Sequence, residues 1–261
     1  WLERHYPLSG GLSNPRSRQS GLVGHSGDRD VANRASRIHW VAGLVSNWAQ
    51  QRPASQLIVS NTSKRLGKLI GCDAETGAFG KAVDLKAALG GTKGDNWGYS
   101  ESVLIDGDKL VCTPGGSQTT MVALNKNNGS IIWKCTVPDD RGAGHASIVI
   151  SEIAGKKIYV QTTASGAFAV DAETGKLQWT FPIEKTTAVI PTPIIKDDLV
   201  YFVAGYKRGG ALIQQIPGPG GSVTSKEIFP LKPELANKHG GVVLIEDHIY
   251  GCADSGTFII S

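Results

Sequence analysis

From about Gln56 the apolar positions fall in short runs of strand length, bounded by turns rich in Gly, Asp and Asn. Four runs align as equivalents: "DKLVCTPGG" on Leu110, "KKIYVQTTASG" on Ile158, "DDLVYFVAG" on Val200 and "DHIYGCADSG" on Ile249. The anchors are 48, 42 and 49 residues apart, and a weaker copy, "SQLIVSNTS", puts Ile58 another 52 upstream. Within each period the order is an inner strand, an acidic or Gly turn, a second strand, a Gly turn and a third strand. A D-x-x-T-G-like turn and a fourth strand complete the period. Four short strands per 40–50 residues predict β-propeller blades. A helical solenoid needs a helical period inside each repeat, and none is present.

The turn between third and fourth strands recurs in detail. "ALNKNNGSIIW" (Ala123 to Trp133) and "AVDAETGKLQW" (Ala169 to Trp179) share Ala, an acidic or amide residue, Gly, and Trp four residues after the Gly. The Asp or Asn side chain is suited to cap backbone N–H groups, and Gly129 and Gly175 supply the positive φ of a tight turn. The tryptophan ring is then placed to pack on a neighbouring blade. An earlier copy ends in Lys81 where the others have Trp. These are packing devices rather than a catalytic box.

The pattern A-x-[DN]-x-x-[TN]-G-x-x-x-W is similar to the tryptophan-docking motif of the pyrroloquinoline-quinone (PQQ)-like β-propellers. "NWGYSESVLIDGDKLVCTPGG" and "HGGVVLIEDHIYG" also resemble the PQQ-binding-like repeats of that family, and the resemblance covers about residues 56–261. It implies an all-β fold, an incomplete β-propeller of four-stranded antiparallel blades, with about four and a half blades legible in residues 53–261. Residues 1–52 lack any strand or helix period and read as a separate arm, disordered or foreign to the fold. Eight blades at this period need about 350 residues. The sequence stops at "SGTFIIS", in the third strand of a blade, so it reads as a truncated, open arc. The family includes quinoprotein alcohol dehydrogenases and also propellers that bind no quinone, among them the lipoprotein of the outer-membrane β-barrel assembly machine.

Charge and composition narrow the partners. The net charge is +4, with much of the excess in the arginines of residues 1–52. No basic stripe interleaved with aromatics follows, so no nucleic-acid partner is expected. No apolar run approaches the ~18 residues of a membrane span. No signal peptide is visible in the N-terminal residues; a periplasmic or extracellular location is what the resemblance implies. Cys72, Cys112, Cys135 and Cys252 lack CxxC spacing and lie in or beside apolar runs, predicting buried free thiols.

Chemistry is expected at the starts of the inner strands, which face one mouth of a propeller. The register makes Ser102, Ser147, Thr192 and Gly241 equivalent; two steps earlier stand Ser100, His145, Ile190 and His239. Trp97, Tyr99, Glu101, His145, Lys238 and His239 therefore converge on a funnel mouth suited to a small ligand or a protein partner. The bland reading of the same residues is a water-filled channel. No metal site is expected, because His145 and His239 lie two blades apart. Ser and His are available, but nothing in the sequence sets a nucleophile on a strained elbow. Asp139, Asp140 and Arg141 read as exposed loop charge, and "IPGPGGSVTSKE" (Ile216 to Glu227) as a surface hairpin. The resemblance to quinone dehydrogenases implies adjacent cysteines, calcium ligands and a catalytic Asp, and no Cys-Cys pair occurs. The leading expectation is a non-catalytic binding or scaffolding propeller with no cofactor and no catalytic residue. The alternative is a fragment of a quinoprotein alcohol or sugar dehydrogenase using PQQ and a divalent cation such as calcium.

Overall fold

A computed structural model describes residues 57–61, 67–72, 76, 78–256 and 258–260. The arm of residues 1–52 lies outside them. The described residues form five antiparallel sheets taken in chain order, each strand pairing with the next. The first contains β1 (Leu57–Asn61), β2 (Lys68–Cys72) and β3 (Phe79–Asp84). The second contains β4 (Leu104–Asp106), β5 (Lys109–Cys112), β6 (Met121–Asn125) and β7 (Ile131–Cys135). The third runs through β8 (Val149–Ile153), β9 (Lys156–Thr163), β10 (Gly166–Asp171) and β11 (Leu177–Pro182). The fourth holds β12 (Ile194–Lys196), β13 (Leu199–Ala204), β14 (Gly209–Pro217) and β15 (Val223–Lys232). The last has β16 (Val242–Ile245), β17 (His248–Cys252) and β18 (Phe258–Ile260).

The blade grammar is the one the periodicity predicts. The five anchors, Ile58, Leu110, Ile158, Val200 and Ile249, fall on β1, β5, β9, β13 and β17. The three strands of the first sheet hold the second to fourth blade positions, and those of the last sheet the first to third. One element was not legible: a five-residue helix, α1 (Leu85–Leu89), between β3 and β4. Asp84 caps it by accepting the N–H groups of Lys86 and Ala87 at 3.0 and 2.9 Å, and Gly90 ends it in a left-handed conformation. Leu85 and Leu89 bury its inner side.

The recurrent turns work as their residues suggest. Asn125 Oδ1 accepts from the N–H of Asn127, and Asp171 Oδ1 from the N–H groups of Glu173 and Thr174, all at 2.8–2.9 Å. The buried ring of Trp133, on β7, crosses to the next sheet, where Nε1 donates to the Ala172 carbonyl at 3.2 Å. A Cβ at Gly175 would stand 2.5 Å from that ring, so the turn needs glycine for contact as well as for its φ of 71°. Trp179 meets a different partner, because the fourth sheet has no matching turn. Its Nε1 donates to Gln215 Oε1 at 3.1 Å, and Gln215 Nε2 donates to Ser151 Oγ at 2.7 Å. One buried amide thus bridges β14 to both β11 and β8.

Between successive sheets lie separate buried apolar clusters. Leu69 and Leu85 pack with Leu110 and Val122, Val111 and Met121 with Tyr159 and Phe168, and Ile158 and Val160 with Phe202 and Ile213. Lys157 on β9 reaches Asp106 on β4 at 2.8 Å, and the same carboxylate accepts from Tyr159 Oη at 2.6 Å. "IPGPGGSVTSKE" is a hairpin as expected, although β14 and β15 run further on either side of its tip.

Two expectations need correction. Cys112 and Cys135 are buried free thiols, but Cys252, the last residue of β17, is exposed; the Cys72 side chain lies outside what is described. Asp140 is buried rather than exposed. Its carboxylate accepts from Gly116 N–H and Thr163 Oγ1, each at 2.6 Å, and holds two loops together.

Gln215→Met keeps the volume but strips the Trp179 indole and the Ser151 hydroxyl of their partners. It is expected to lower stability by about 2–4 kcal/mol in urea unfolding. Gln214→Met, which breaks only a half-buried bond to Asp198, should cost less than about 1 kcal/mol.

Candidate functional site

Two connecting segments build the site: residues 91–103, between α1 and β4, and residues 136–148, between β7 and β8. They are stitched side by side, with Ala143 N–H donating to Thr92 O at 2.8 Å and Gly94 N–H to Ala143 O at 3.0 Å. Glycine makes that approach possible. A Cβ at Gly142 would lie 2.5 Å from Gly94 N, and one at Gly94 would lie 2.3 Å from the Ala164 methyl.

The inner-strand register is visible as a belt of hydrogen bonds. Ser102 N–H donates to Ser147 Oγ at 3.1 Å, and Ser147 N–H donates to Thr192 Oγ1 at 3.0 Å. The inner strands β4, β8 and β12 are therefore tied in series by side-chain hydroxyls at equivalent positions just before them. Gly241, the next position, has no hydroxyl to continue it.

Next to this belt the structure gathers Trp97, Glu101 and His145 with Ser100, which the register makes equivalent to His145, and with Lys93 and Asp95, which were not among the residues expected at the mouth. His145 Nε2 lies 2.8 Å from Asp95 Oδ2, and Nδ1 is hydrogen-bonded to Ser100 Oγ. A carboxylate only accepts, so Nε2 carries the hydrogen and Nδ1 is left to accept from the serine. Asp95 Oδ1 accepts from Trp97 N–H at 3.0 Å and lies 3.8 Å from the Lys93 ammonium. Lys93 in turn donates to the Gly144 carbonyl at 2.5 Å. The Trp97 ring is 56% exposed and stands 6.4 Å from the imidazole, tilted by 51°.

The environment moves the ionisable groups. Burial lowers the Lys93 ammonium to about 8, against the pull of Asp95 and Glu101. Glu101 is buried, with Thr113 N–H at 2.9 and 3.1 Å from its two oxygens. Burial outweighs that donation and pushes its carboxyl up to about 8. His145 is lowered from its usual value by burial first and by the Lys93 charge second.

The remaining residues predicted from sequence sit elsewhere. Tyr99 is buried in the core beside Leu85 and Leu110, with its hydroxyl donating to Pro114 O at 2.7 Å. Lys238 lies against Gly205 and holds its ammonium 5.0 Å from the Tyr206 ring centroid, and His239 is exposed. Among the described residues no contact joins Lys238 or His239 to His145. Nor does any group of three or more His, Cys, Asp or Glu there form a set able to hold a metal ion. No helix among them is long and apolar enough to cross a membrane. An open groove of about 600 Å³ lies apart from this cluster, lined by Val137, Arg141, Phe181 and Lys185 among others. The register places Ser100 level with His145, but the pairing of Asp95 and Ser100 with that imidazole is not legible in the sequence, because His145 is on another blade; the one further signal is the polar spacing of "DNWGYSES".

Comparison with known proteins decides the family. The family described as outer membrane protein assembly factor BamB matches residues 29–260. The chain belongs to that family. Its fold is the PQQ-like β-propeller, as the motifs imply, and a crystal structure of BamB from Moraxella catarrhalis superposes with a TM-score of 0.51 at 22% identity. That match covers 79% of this chain and 54% of the other, so the chain spans about half the length of that relative. The fission yeast SREBP–SCAP binding domains match at 13% identity and a TM-score of 0.38, over 78% of this chain and 57% of theirs. The computationally designed Ika4 protein matches at 12% identity and 0.35, over 62% and 89%. No curated protein matches the sequence significantly.

The raised Glu101 carboxyl has a consequence for stability. Its ordinary value is 4.5 and its folded value about 8, so between those values the unfolded chain has released a proton that the folded one keeps. Stability therefore falls as pH rises through that window and levels off above it. The difference in unfolding free energy between wild type and Glu101→Gln is expected to change by up to about 1.4 kcal/mol per pH unit there. Denaturant melts at pH 5, 6, 7 and 8 measure it; a constant difference would place the carboxyl in a wetter setting.

Proposed function

We propose that this chain is a binding or scaffolding propeller of the cell envelope, located in the periplasm and serving outer-membrane protein assembly. The observation that carries this reading is the family match across residues 29–260, on a chain whose blades are locked to one another by Trp133, Trp179 and Gln215. A rigid stack of sheets is suited to presenting loops to a partner at fixed spacing. The partner-facing or ligand-facing surface is the mouth, with Trp97 and His145 at its front. Exposed aromatic side chains beside polar groups are favoured contact residues at protein interfaces. Lys238 and His239 offer a second, basic stretch of the same rim, and Glu101 supports the first from behind. Tyr99 contributes by holding the segment that carries Trp97.

The residues do not fit the quinone dehydrogenase alternative. The chain has no adjacent cysteine pair, and Cys112 and Cys135 are separate buried thiols. No step through PQQ or calcium is derived.

The test is depletion of the full-length protein in its native cells, with the folded, heat-modifiable outer-membrane β-barrel proteins quantified by gel shift. The expected outcome is a several-fold drop, restored by the wild-type gene and poorly restored by Trp97→Ala. Unchanged barrel levels would remove the assembly role. Saturable PQQ binding with dye-linked alcohol oxidation in millimolar calcium would replace it with the oxidoreductase.

A further inference from the structure

We infer that Ser100 is an activated nucleophile, fed by the chain Asp95–His145–Ser100, and that the site accepts acyl groups from small carboxylic esters. This is a capacity beside the scaffolding role and does not rest on it.

The hydrogen bonds run one way. Asp95 Oδ2 takes the Nε2 hydrogen of His145 at 2.8 Å, which leaves the Nδ1 lone pair to receive the Ser100 hydroxyl hydrogen. The roles are those of a nucleophile, a base and a group that orients the base, with the two imidazole nitrogens exchanged relative to the usual order; such a set is recognised by geometry and not by chain position. The orienting carboxylate is itself fixed. Trp97 N–H holds its other oxygen at 3.0 Å, and the Lys93 ammonium stands 3.8 Å away. The side chains of His145 and Asp95 are 11% and 7% exposed, whereas Ser100 faces solvent. A base sheltered in the wall with its hydroxyl partner open to substrate is the arrangement that acyl transfer needs.

Two further features complete the site. Among the described residues the main-chain N–H groups of Ser100 and Glu101 make no hydrogen bond, and as the amides of the nucleophile and the residue after it they are the candidates to donate to a developing oxyanion. The exposed Trp97 ring beside the imidazole offers an apolar wall for an aryl or short acyl group. Burial and the Lys93 charge lower the imidazole's proton affinity, which favours its base form at neutral pH, and Asp95 stabilises the imidazolium formed during attack.

The reaction balances with ester and water alone. Ser100 Oγ bonds to the ester carbonyl carbon while its proton moves to His145 Nδ1. The C–O bond to the leaving group breaks, and that group departs with the proton as an alcohol or phenol. Water then attacks the Ser100 ester and gives a proton to Nδ1. Oγ recovers that proton as the carboxylic acid leaves.

The test uses the full-length protein with two probes, an alkyl fluorophosphonate and 4-nitrophenyl acetate. Fluorophosphonate should form an O–P bond at Ser100 with loss of fluoride, located by peptide mass mapping, and 4-nitrophenol release should be saturable. Ser100→Ala should abolish both signals. His145→Ala should slow them at least ~100-fold, with partial rescue by added imidazole. Asp95→Asn, a positioning change, should lower the rate and move the midpoint of the pH–rate profile downward, because the Asp95 charge raises the imidazole's proton affinity. Asp95, Lys93 and, further back, Glu101 are the charged or titratable groups near that imidazole. An unlabelled Ser100 peptide in the wild type, or equal labelling in folded His145→Ala, overturns the inference. Because the wild-type peptide map reads Ser100 directly, the outcome stands whether or not any variant folds. Depletion of barrel proteins without Ser100 labelling would retain the scaffold and remove the nucleophile.

Discussion

A small antiparallel sheet has two faces to cover, and among the described residues no helix is large enough to cover either. Everything else in this chain depends on sheets covering one another, and the contact of the Trp133 ring with the Gly175 turn is where that dependence is most concentrated. The indole fills the space a side chain would need at Gly175 and satisfies its own N–H on the Ala172 carbonyl. Polar satisfaction and apolar burial are thereby met by one side chain. Where the following blade lacks the turn, Gln215 supplies the acceptor from its side chain, so the constraint survives the loss of the motif.

The same rule governs the inner ends of the strands. Their N–H groups face neighbours belonging to other sheets, and the serine and threonine hydroxyls of the belt satisfy them. The cluster next to that belt is made of groups that burial disfavours in charged form. Lys93 and Glu101 are both moved toward neutrality, and Asp95 has a hydrogen-bond donor on each oxygen. Polar residues in so dry a setting stay in place only when their partners are fixed. Here the partners are fixed by the glycine-permitted approach of two loops.

Legibility in the sequence followed the range of the interaction. Strand order, the position of the turns and the equivalence of Ser102, Ser147 and Thr192 were readable, because each follows from alternation and a repeat length. The helix at Leu85 was missed because five residues show no period. Asp140 was misread because its charge is satisfied by Gly116 and Thr163, neither of them a charged residue that sequence would pair with it. At the site, Trp97, Glu101 and His145 were found through register. The Asp95–His145–Ser100 chain was not, since which polar residue lines up with which depends on how two loops dock. Lys238 and His239 share the register but not, among the described contacts, the cluster.

Gly241 gives the inner belt an end. From Ser102 to Thr192 the inner strands hold one another through uncharged hydroxyls; beyond it, the ion pair of Lys196 and Asp247 stands between the fourth and last sheets near their inner strands. Salt screens such a pair, whereas an uncharged hydroxyl bond is little affected. The inner rim is therefore uneven: its bonds to Ser147 and Thr192 are indifferent to ionic strength, whereas the Lys196–Asp247 contact loosens as salt rises, leaving the apolar cluster of Tyr201, Val203 and Leu235 with Val242 and Ile249 to hold the fourth and last sheets together.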